Sequence, residues 1–185
     1  MHDVRDSEIR RLPVIDATPT VLEPYGCLIT PGAQRAAQRS SFYGDAVELW
    51  AQPGFVSDAD TCLSVARVQR RPNEVTWLER HFKHTQVFVP LGARPFVMVL
   101  GAPTSNSLPD LATVRALRFD GRSGVLLRIG TWHEFPFAVD SAVDLLVILR
   151  HETTRDLQQR AHDEAVGGDL EKRNLPARLG LRLVF

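Results

Sequence analysis

Residues 77–92 read WLERHFKHTQVFVPLG, and this stretch decides how the rest of the chain is interpreted. Alternate residues of a β-strand point to the same face of a sheet, so Glu79 and His81 are expected to project the same way. A turn is predicted at His84 and Thr85, with His84 facing solvent and Gln86 on the strand adjacent to the first. The stretch therefore predicts short paired strands that carry polar side chains on one face.

Further short β-type runs lie on both sides of this stretch, and turns rich in glycine and proline separate them. Many short strands at regular spacing are typical of an all-β sandwich or barrel. The predicted strands cover residues 46–50, 62–69, 75–78, 86–90, 96–100, 114–119, 125–129, 135–139 and 143–149.

The chain is expected to form a single domain over residues 1–185, with the barrel at 42–150. Residues 1–40 are predicted to be an irregular N-terminal extension, because prolines interrupt them repeatedly. Residues 151–185 are predicted to contain a helix at 153–165, with Thr153 or Thr154 as its N-cap, and a returning strand.

The composition excludes several classes of partner. Lys plus Arg and Asp plus Glu both number 22, so no net charge attracts nucleic acid or an anionic membrane. The apolar runs have strand length, and the N-terminus lacks a secretory signal pattern. Cys27 and Cys62 are far apart, which favours a reducing compartment. We expect a cytoplasmic protein with a small-molecule partner, without nucleic acid or membrane.

Two motifs resemble those of cupins. Glu79-x-His81, followed by Gln86 and Gly92, resembles a modified first cupin motif, and Gly130-x-x-His133 resembles the end of the second. The resemblance implies a cupin-like double-stranded β-helix barrel of the jelly-roll type, with a short C-terminal helix. The positions at which cupins hold a metal would then be taken by Glu79, His81, Gln86 and His133.

A longer string over about residues 74–150 resembles the ureidoglycolate lyase family. The family implies cleavage of ureidoglycolate to glyoxylate and urea in allantoin (purine) breakdown, by a homodimer. It also suggests a divalent metal, nickel in particular, or a site without metal. Glu134 follows Trp132-His133 here, whereas the family often has a second histidine and a proline. The resembling segments are 78–81, 85–86, 88–90, 96–97, 109–111, 115–116, 119, 124–125 and 131–133.

The implied reaction needs an acid and a base. His81 and His133 could share these roles because imidazole titrates near neutral pH, and Glu79 could orient an imidazole or act as the base. These three side chains are the predicted catalytic group.

Four further residues are predicted to bind the substrate: Arg80, Lys83, Gln86 and Trp132. Arg80 or Lys83 would hold the substrate carboxylate, and arginine is preferred for its planar fork. Strand alternation nevertheless places Arg80 on the face opposite Glu79 and His81.

Two other functions are compatible with the motifs. One is a cupin-like module that binds or senses a small acid without turnover. The other is a different metal-dependent cupin enzyme, such as an isomerase or a dioxygenase, although Gln86 disfavours a dioxygenase. The joint presence of Glu79, His81 and His133 favours catalysis over binding alone.

Overall fold

The computed structural model describes residues 7–32, 38–40, 42–51, 54–160 and 162–185. Its helices are α1 (Pro19–Leu22), α2 (His151–Gln159) and α3 (Leu175–Leu179). Its strands are β1 (Glu8–Arg11), β2 (Val14–Asp16), β3 (Gly26–Ile29), β4 (Gln38–Ser40), β5 (Gly44–Leu49), β6 (Thr61–Gln69), β7 (Glu74–Val75), β8 (Trp77–His81), β9 (Gln86–Leu91), β10 (Phe96–Gly101), β11 (Arg115–Phe119), β12 (Gly124–Leu127), β13 (Trp132–His133), β14 (Phe137–Ala138), β15 (Ala142–Arg150), β16 (Leu170–Asn174) and β17 (Leu181–Val184).

Two sheets form the body of the protein. The first has the order β16-β8-β13-β10-β11-β2, with β14 also paired to β10, and the second has the order β3-β12-β9-β15-β6. The predicted all-β, cupin-like fold is confirmed. Over the described residues the two sheets form a sandwich rather than a closed barrel.

Strands β8, β9 and β10 alternate between the two sheets: β8 lies in the first, β9 in the second and β10 in the first again. The expectation that Gln86 stands on the strand adjacent to β8 is therefore wrong. The turn at His84 and Thr85 carries the chain across the sandwich, and β9 pairs with β12 and β15 instead. Gln86 consequently approaches the β8 side chains from the opposite sheet.

The first sheet is covered on both faces. Its inner face packs on the second sheet through a core that includes Phe88, Phe96 and Phe119. Its outer face packs under α3 and the small sheet β1-β17-β7 through a second core that includes Trp132 and Leu183. This double burial explains why β10 is apolar at every position but its final glycine, and buried throughout, as is typical of strands covered on both sides.

The N-terminal segment that was predicted to be irregular contributes four strands among its described residues, of which β4 pairs with β5. β1 pairs with β17, β2 pairs with β11, and β3 pairs with β12. Each of these strands has only three or four residues, too few for an alternating pattern to be recognised in the sequence.

Helix α2 begins two residues earlier and ends six residues earlier than predicted. It follows β15 directly, with Arg150 at the N-cap position, so neither Thr153 nor Thr154 caps it. The Thr153 side chain instead donates a hydrogen bond to Asp169 inside the protein. Within the described ranges, none of the helices has the length and apolar composition of a membrane span.

The contact between β3 and β12 allows a test of the packing. A Cβ atom added to Gly26 would lie 2.0 Å from the carbonyl oxygen of Leu126. We therefore expect Gly26→Ala to lower the free energy of unfolding by about 1–3 kcal/mol, because the strands must separate. Urea unfolding followed by circular dichroism measures this change.

Gly54→Ala is the matched control, since no described atom lies within 4 Å of the added Cβ. Its free energy of unfolding should stay within about 0.5 kcal/mol of the parent value. Equal unfolding midpoints for the Gly26 and Gly54 variants would contradict the proposed close approach.

Candidate active site

Three polar residues stand in one row across the first sheet. Strand β8 lies between β16 and β13, and Glu79 is the direct partner of Lys172 on one side and of His133 on the other. Directly opposed residues point to the same face of a sheet, so all three side chains face the second sheet. His81, two residues after Glu79, projects from the same face.

Gly130 explains how His133 reaches the row. Its φ of +83° is the left-handed conformation that glycine adopts without strain, and its N–H donates to the carbonyl oxygen of His81 over 2.7 Å. The turn then leads directly into β13. The second motif is thus tied to the first by a backbone hydrogen bond.

The Nε2 atoms of both histidines approach the Glu79 carboxyl group. Glu79 Oε1 lies 3.6 Å from Nε2 of His133 and 4.0 Å from Nε2 of His81, and the two imidazole centroids are 5.1 Å apart. The Nδ1 atom of His133 lies 2.9 Å from the carbonyl oxygen of Thr131. A carbonyl oxygen only accepts, so Nδ1 carries the proton and Nε2 carries the lone pair.

Burial shifts the pKa values of Glu79 and of the two histidines in opposite directions. The side chain of Glu79 is 14% exposed, and desolvation together with the charge of Glu134 raises its pKa to about 8, against the opposing effect of Lys172. Desolvation lowers the pKa of His133 to about 4. Desolvation, with His133 and His84 nearby, also lowers the pKa of His81 well below its usual value. Near neutral pH the carboxyl group is protonated and the imidazoles are neutral.

The cluster has the donor set of a divalent-cation site. Nε2 of His81, Nε2 of His133 and Oε1 of Gln86 are buried, and none has a hydrogen-bond partner among the described residues. Glu79, His81 and His133 each offer a ligand atom within 4.8 Å of the others. Imidazole nitrogen with carboxylate oxygen suits several divalent transition metals, so these residues fit a metal.

A cavity of about 300 Å³ opens beside the row. Its wall contains Glu79, His133, Glu134 and Lys172 as polar groups, with Trp77, Phe135 and Leu157 as apolar ones. A neighbouring cavity of about 210 Å³ shares Glu79, Phe135 and Leu157 and reaches Gln86. Leu157 belongs to α2, so the C-terminal helix forms one wall of the site.

A second polar group, formed by His84 and Asp169, packs against His81. His84 stacks on His81 with ring centroids 4.6 Å apart, and its Nδ1 lies 3.0 Å from Asp169 Oδ2. Asp169 also accepts hydrogen bonds from the backbone N–H groups of Phe82 and Lys83. Burial alone would raise the pKa of Asp169. Hydrogen bonds from the side chains of His84 and Thr153 outweigh this effect and hold the pKa below its ordinary value.

The expectation that His84 faces solvent is wrong, because the residue is 1% exposed. The turn that contains it folds inward to meet Asp169.

Comparison with known sequences agrees with this geometry. Residues 10–167 match the sequence profile of the family described as ureidoglycolate lyase. The chain belongs to the ureidoglycolate lyase family.

Several curated relatives carry the same name. A ureidoglycolate lyase from Pseudomonas syringae pv. tomato is 32% identical over 116 residues, which is 62% of this chain and 65% of that protein. Ureidoglycolate lyases from Salmonella paratyphi B and Salmonella typhimurium are 37% identical over 92 residues, which is 49% of this chain and 56% of theirs. The chain thus spans less than two thirds of the length of these relatives.

Three of the predicted substrate-binding residues lie away from the cluster of Glu79, His81 and His133. Arg80 and Trp132 face the outer core, where the guanidinium group stacks over the indole ring at 4.3 Å and hydrogen bonds to Glu171 and to the carbonyl oxygen of Thr104. Lys83 is exposed at the turn after β8. Gln86 is the fourth, and its side chain reaches the site from the facing sheet.

Sequence reasoning missed Lys172 and Asp169, both of which lie beyond the residues that match the family profile. Strand β16 reads LEKRN, a charged run without apolar alternation, so no periodic signal marked it as a strand. The pair Gly167-Gly168, with φ of +80° and +74°, was the available signal that the chain turns before it.

Proposed function

We propose that this chain cleaves ureidoglycolate to glyoxylate and urea. The observation that carries the proposal is the cluster of Glu79, His81 and His133, whose ligand atoms lie within 4.8 Å of one another beside a cavity that Glu79 and His133 line. The names of the curated relatives agree with it. Allantoin (purine) breakdown is the proposed pathway and the cytoplasm the proposed compartment. Cys27 and Cys62 form no disulfide with each other, which is compatible with a reducing compartment.

The reaction is an elimination at a carbon that bears a hydroxyl group, a carboxylate and a urea nitrogen. The O–H bond and the C–N bond break, and the electron pair of the O–H bond forms the new carbonyl group. One proton leaves the hydroxyl group and one proton joins the urea nitrogen. The protein therefore needs a proton acceptor and a proton donor on neighbouring atoms of the substrate.

His133 is proposed to accept the hydroxyl proton. Its Nδ1–H donates to the carbonyl oxygen of Thr131, so the lone pair on Nε2 points towards Glu79 and the cavity. Its low pKa keeps this lone pair available near neutral pH. The bond to Thr131 also stabilises the imidazolium that forms when the proton arrives.

Glu79 is proposed to protonate the departing urea nitrogen. Its raised pKa keeps a proton on the carboxyl group near pH 7, as catalysis of this kind requires. After the C–N bond breaks, His133 carries the proton from the substrate hydroxyl group, and Glu79 has given its own proton to urea. These groups are 3.6 Å apart, so a proton transfer between them restores the starting state.

His81 and Gln86 complete the cluster from two directions. His81 presents Nε2 to the Glu79 carboxyl group from the end of β8, and Gln86 presents its amide from the facing sheet. We propose that both side chains hold the substrate hydroxyl group in line with Nε2 of His133.

A divalent cation at this cluster is proposed as the alternative to proton transfer by His133 and Glu79, with nickel suggested by the family resemblance. His81 and His133 would hold it through nitrogen, with Glu79 and Gln86 as further oxygen ligands. A bound cation would polarise the substrate hydroxyl group and so supply the activation that His133 otherwise gives as a base.

The central prediction concerns the two histidines. His133→Ala and His81→Ala should each lower kcat for urea release by about 100-fold or more, the range that a lost acid–base group produces. Coupled assays of urea and glyoxylate with purified protein measure this change.

His162→Ala is the control, because His162 is exposed after helix α2. It should retain the parent rate, and all three variants should keep the parent circular dichroism spectrum. Near-normal turnover in either cluster variant would overturn the assigned roles. A parent protein that binds glyoxylate but releases no urea would instead be a binding or sensor module.

The cation has its own test. Treatment with a strong chelator should lower urea release, and addition of nickel, manganese or zinc should restore it because the vacated nitrogen ligands are refilled. Calorimetric titration should detect nickel binding to the parent and not to His133→Ala. Full activity in protein shown to be free of metal would assign the reaction to the acid–base pair alone.

We further propose that the chain forms a homodimer. The outer face of the second sheet carries an exposed apolar patch at its edge strand, β6. Leu63 is 68% exposed and Val65 is 64% exposed, and Leu91 on β9 is 42% exposed. Exposed apolar patches of this kind are common at subunit interfaces.

Replacement of Leu63 and Val65 by glutamate tests the dimer. If this face is buried between two copies, the double variant should sediment as a monomer where the parent sediments as a dimer, because two buried charges disfavour association. Val166→Glu, at an equally exposed apolar position before β16 and away from this face, should remain dimeric. A monomeric parent, or an unchanged dimer in the double variant, would rule out this interface.

A further inference from the structure

Lys172 occupies one end of the row that contains the catalytic group. It pairs directly with Glu79 across the β16–β8 ladder and lines the same cavity as Glu79 and His133. The residue is only 8% exposed, so its ammonium group lies in the protein rather than in bulk water. A buried ammonium group is costly unless polar or anionic groups surround it.

Contacts with the end of α2 and with β8 position the ammonium group. Nζ donates to the carbonyl oxygen of Arg160 over 2.9 Å, and it lies 4.5 Å from the centroid of the Trp77 ring. Trp77 also lines the cavity. The lysine is therefore held at the cavity wall by the end of α2 and by β8.

The other cationic side chains near the site either pair with other groups or lie outside the cavity. Arg80 is on the opposite face of the sheet, bonded to Glu171 and to loop carbonyl groups. Lys83 is exposed. Arg71 pairs with Glu134 and with the carbonyl oxygen of Phe135. Among the described residues that line the cavity of about 300 Å³, Lys172 is thus the one with a cationic side chain.

We propose that Lys172 binds the carboxylate of the substrate and selects small α-hydroxy acids over their neutral amides. This inference deepens the proposed function, since it takes the same cavity to be the substrate site. The row then has a carboxylate-binding cation at one end, the proton donor Glu79 in the middle and the base His133 at the other end. A carbon held over Glu79 would have its carboxylate towards Lys172 and its hydroxyl group towards His133.

The test compares two ligands that differ only in the charged group. Glycolate and glycolamide both carry an α-hydroxyl group, but only glycolate carries a carboxylate. We expect the parent protein to bind glycolate more tightly in titrations followed by protein NMR. Lys172→Met keeps the length of the side chain and removes its charge, so the ratio of the two dissociation constants should fall about tenfold or more.

Two further variants test whether the charge of Lys172, rather than a change in folding, sets the preference for glycolate. Lys172→Arg retains a cation and should retain most of the preference for glycolate. Lys83→Met removes the other lysine of the chain, and a loss of preference there instead would move the carboxylate site to the turn and overturn the proposal. An unchanged ratio in Lys172→Met would overturn it as well.

The ratio of dissociation constants does not depend on how much of a variant is folded, so partial unfolding leaves the result interpretable. The measurement also needs no turnover. A parent protein that releases no urea but prefers glycolate through Lys172 would reject the proposed reaction while supporting this binding site.

Discussion

The register of β8 between its two neighbours determines the whole site. A strand that slips by one residue turns every side chain to the other face of its sheet. Such a slip would send Glu79 into the outer core and bring Arg80 into the cavity. A buried ion cluster on the outer face, in which Glu171 contacts both Arg80 and Arg173, opposes this slip. Buried ion pairs often add little net stability because desolvation offsets their attraction, and we propose that this cluster instead fixes the register of β8.

Much of the architecture could be predicted from the sequence because the central strands have strong local signals. The runs that became β6, β9, β10, β11 and β15 have β-branched or apolar residues bounded by glycine and proline. The shared face of Glu79 and His81 follows from the two-residue repeat of a strand alone.

The remaining features depend on contacts between distant parts of the chain. Nothing local indicates that Lys172 stands opposite Glu79, since that pairing joins strands more than 90 residues apart. His84 has the sequence of an exposed turn, and only the approach of Asp169 buries it. Gln86 was placed on a neighbouring strand because a turn of this length is also compatible with a hairpin. The charged strand β16 is buried by its partners rather than by its own composition.

Asp169 also links three segments that are separate in sequence. Its carboxylate accepts from the backbone of the turn at Phe82 and Lys83 and from the hydroxyl group of Thr153 in α2, and the residue itself directly precedes β16. Opening any one of these segments breaks hydrogen bonds that the other two need. These three segments should therefore unfold locally as one cooperative unit. The amide protons of the turn should then exchange with solvent at the same rate as those of the C-terminal segment.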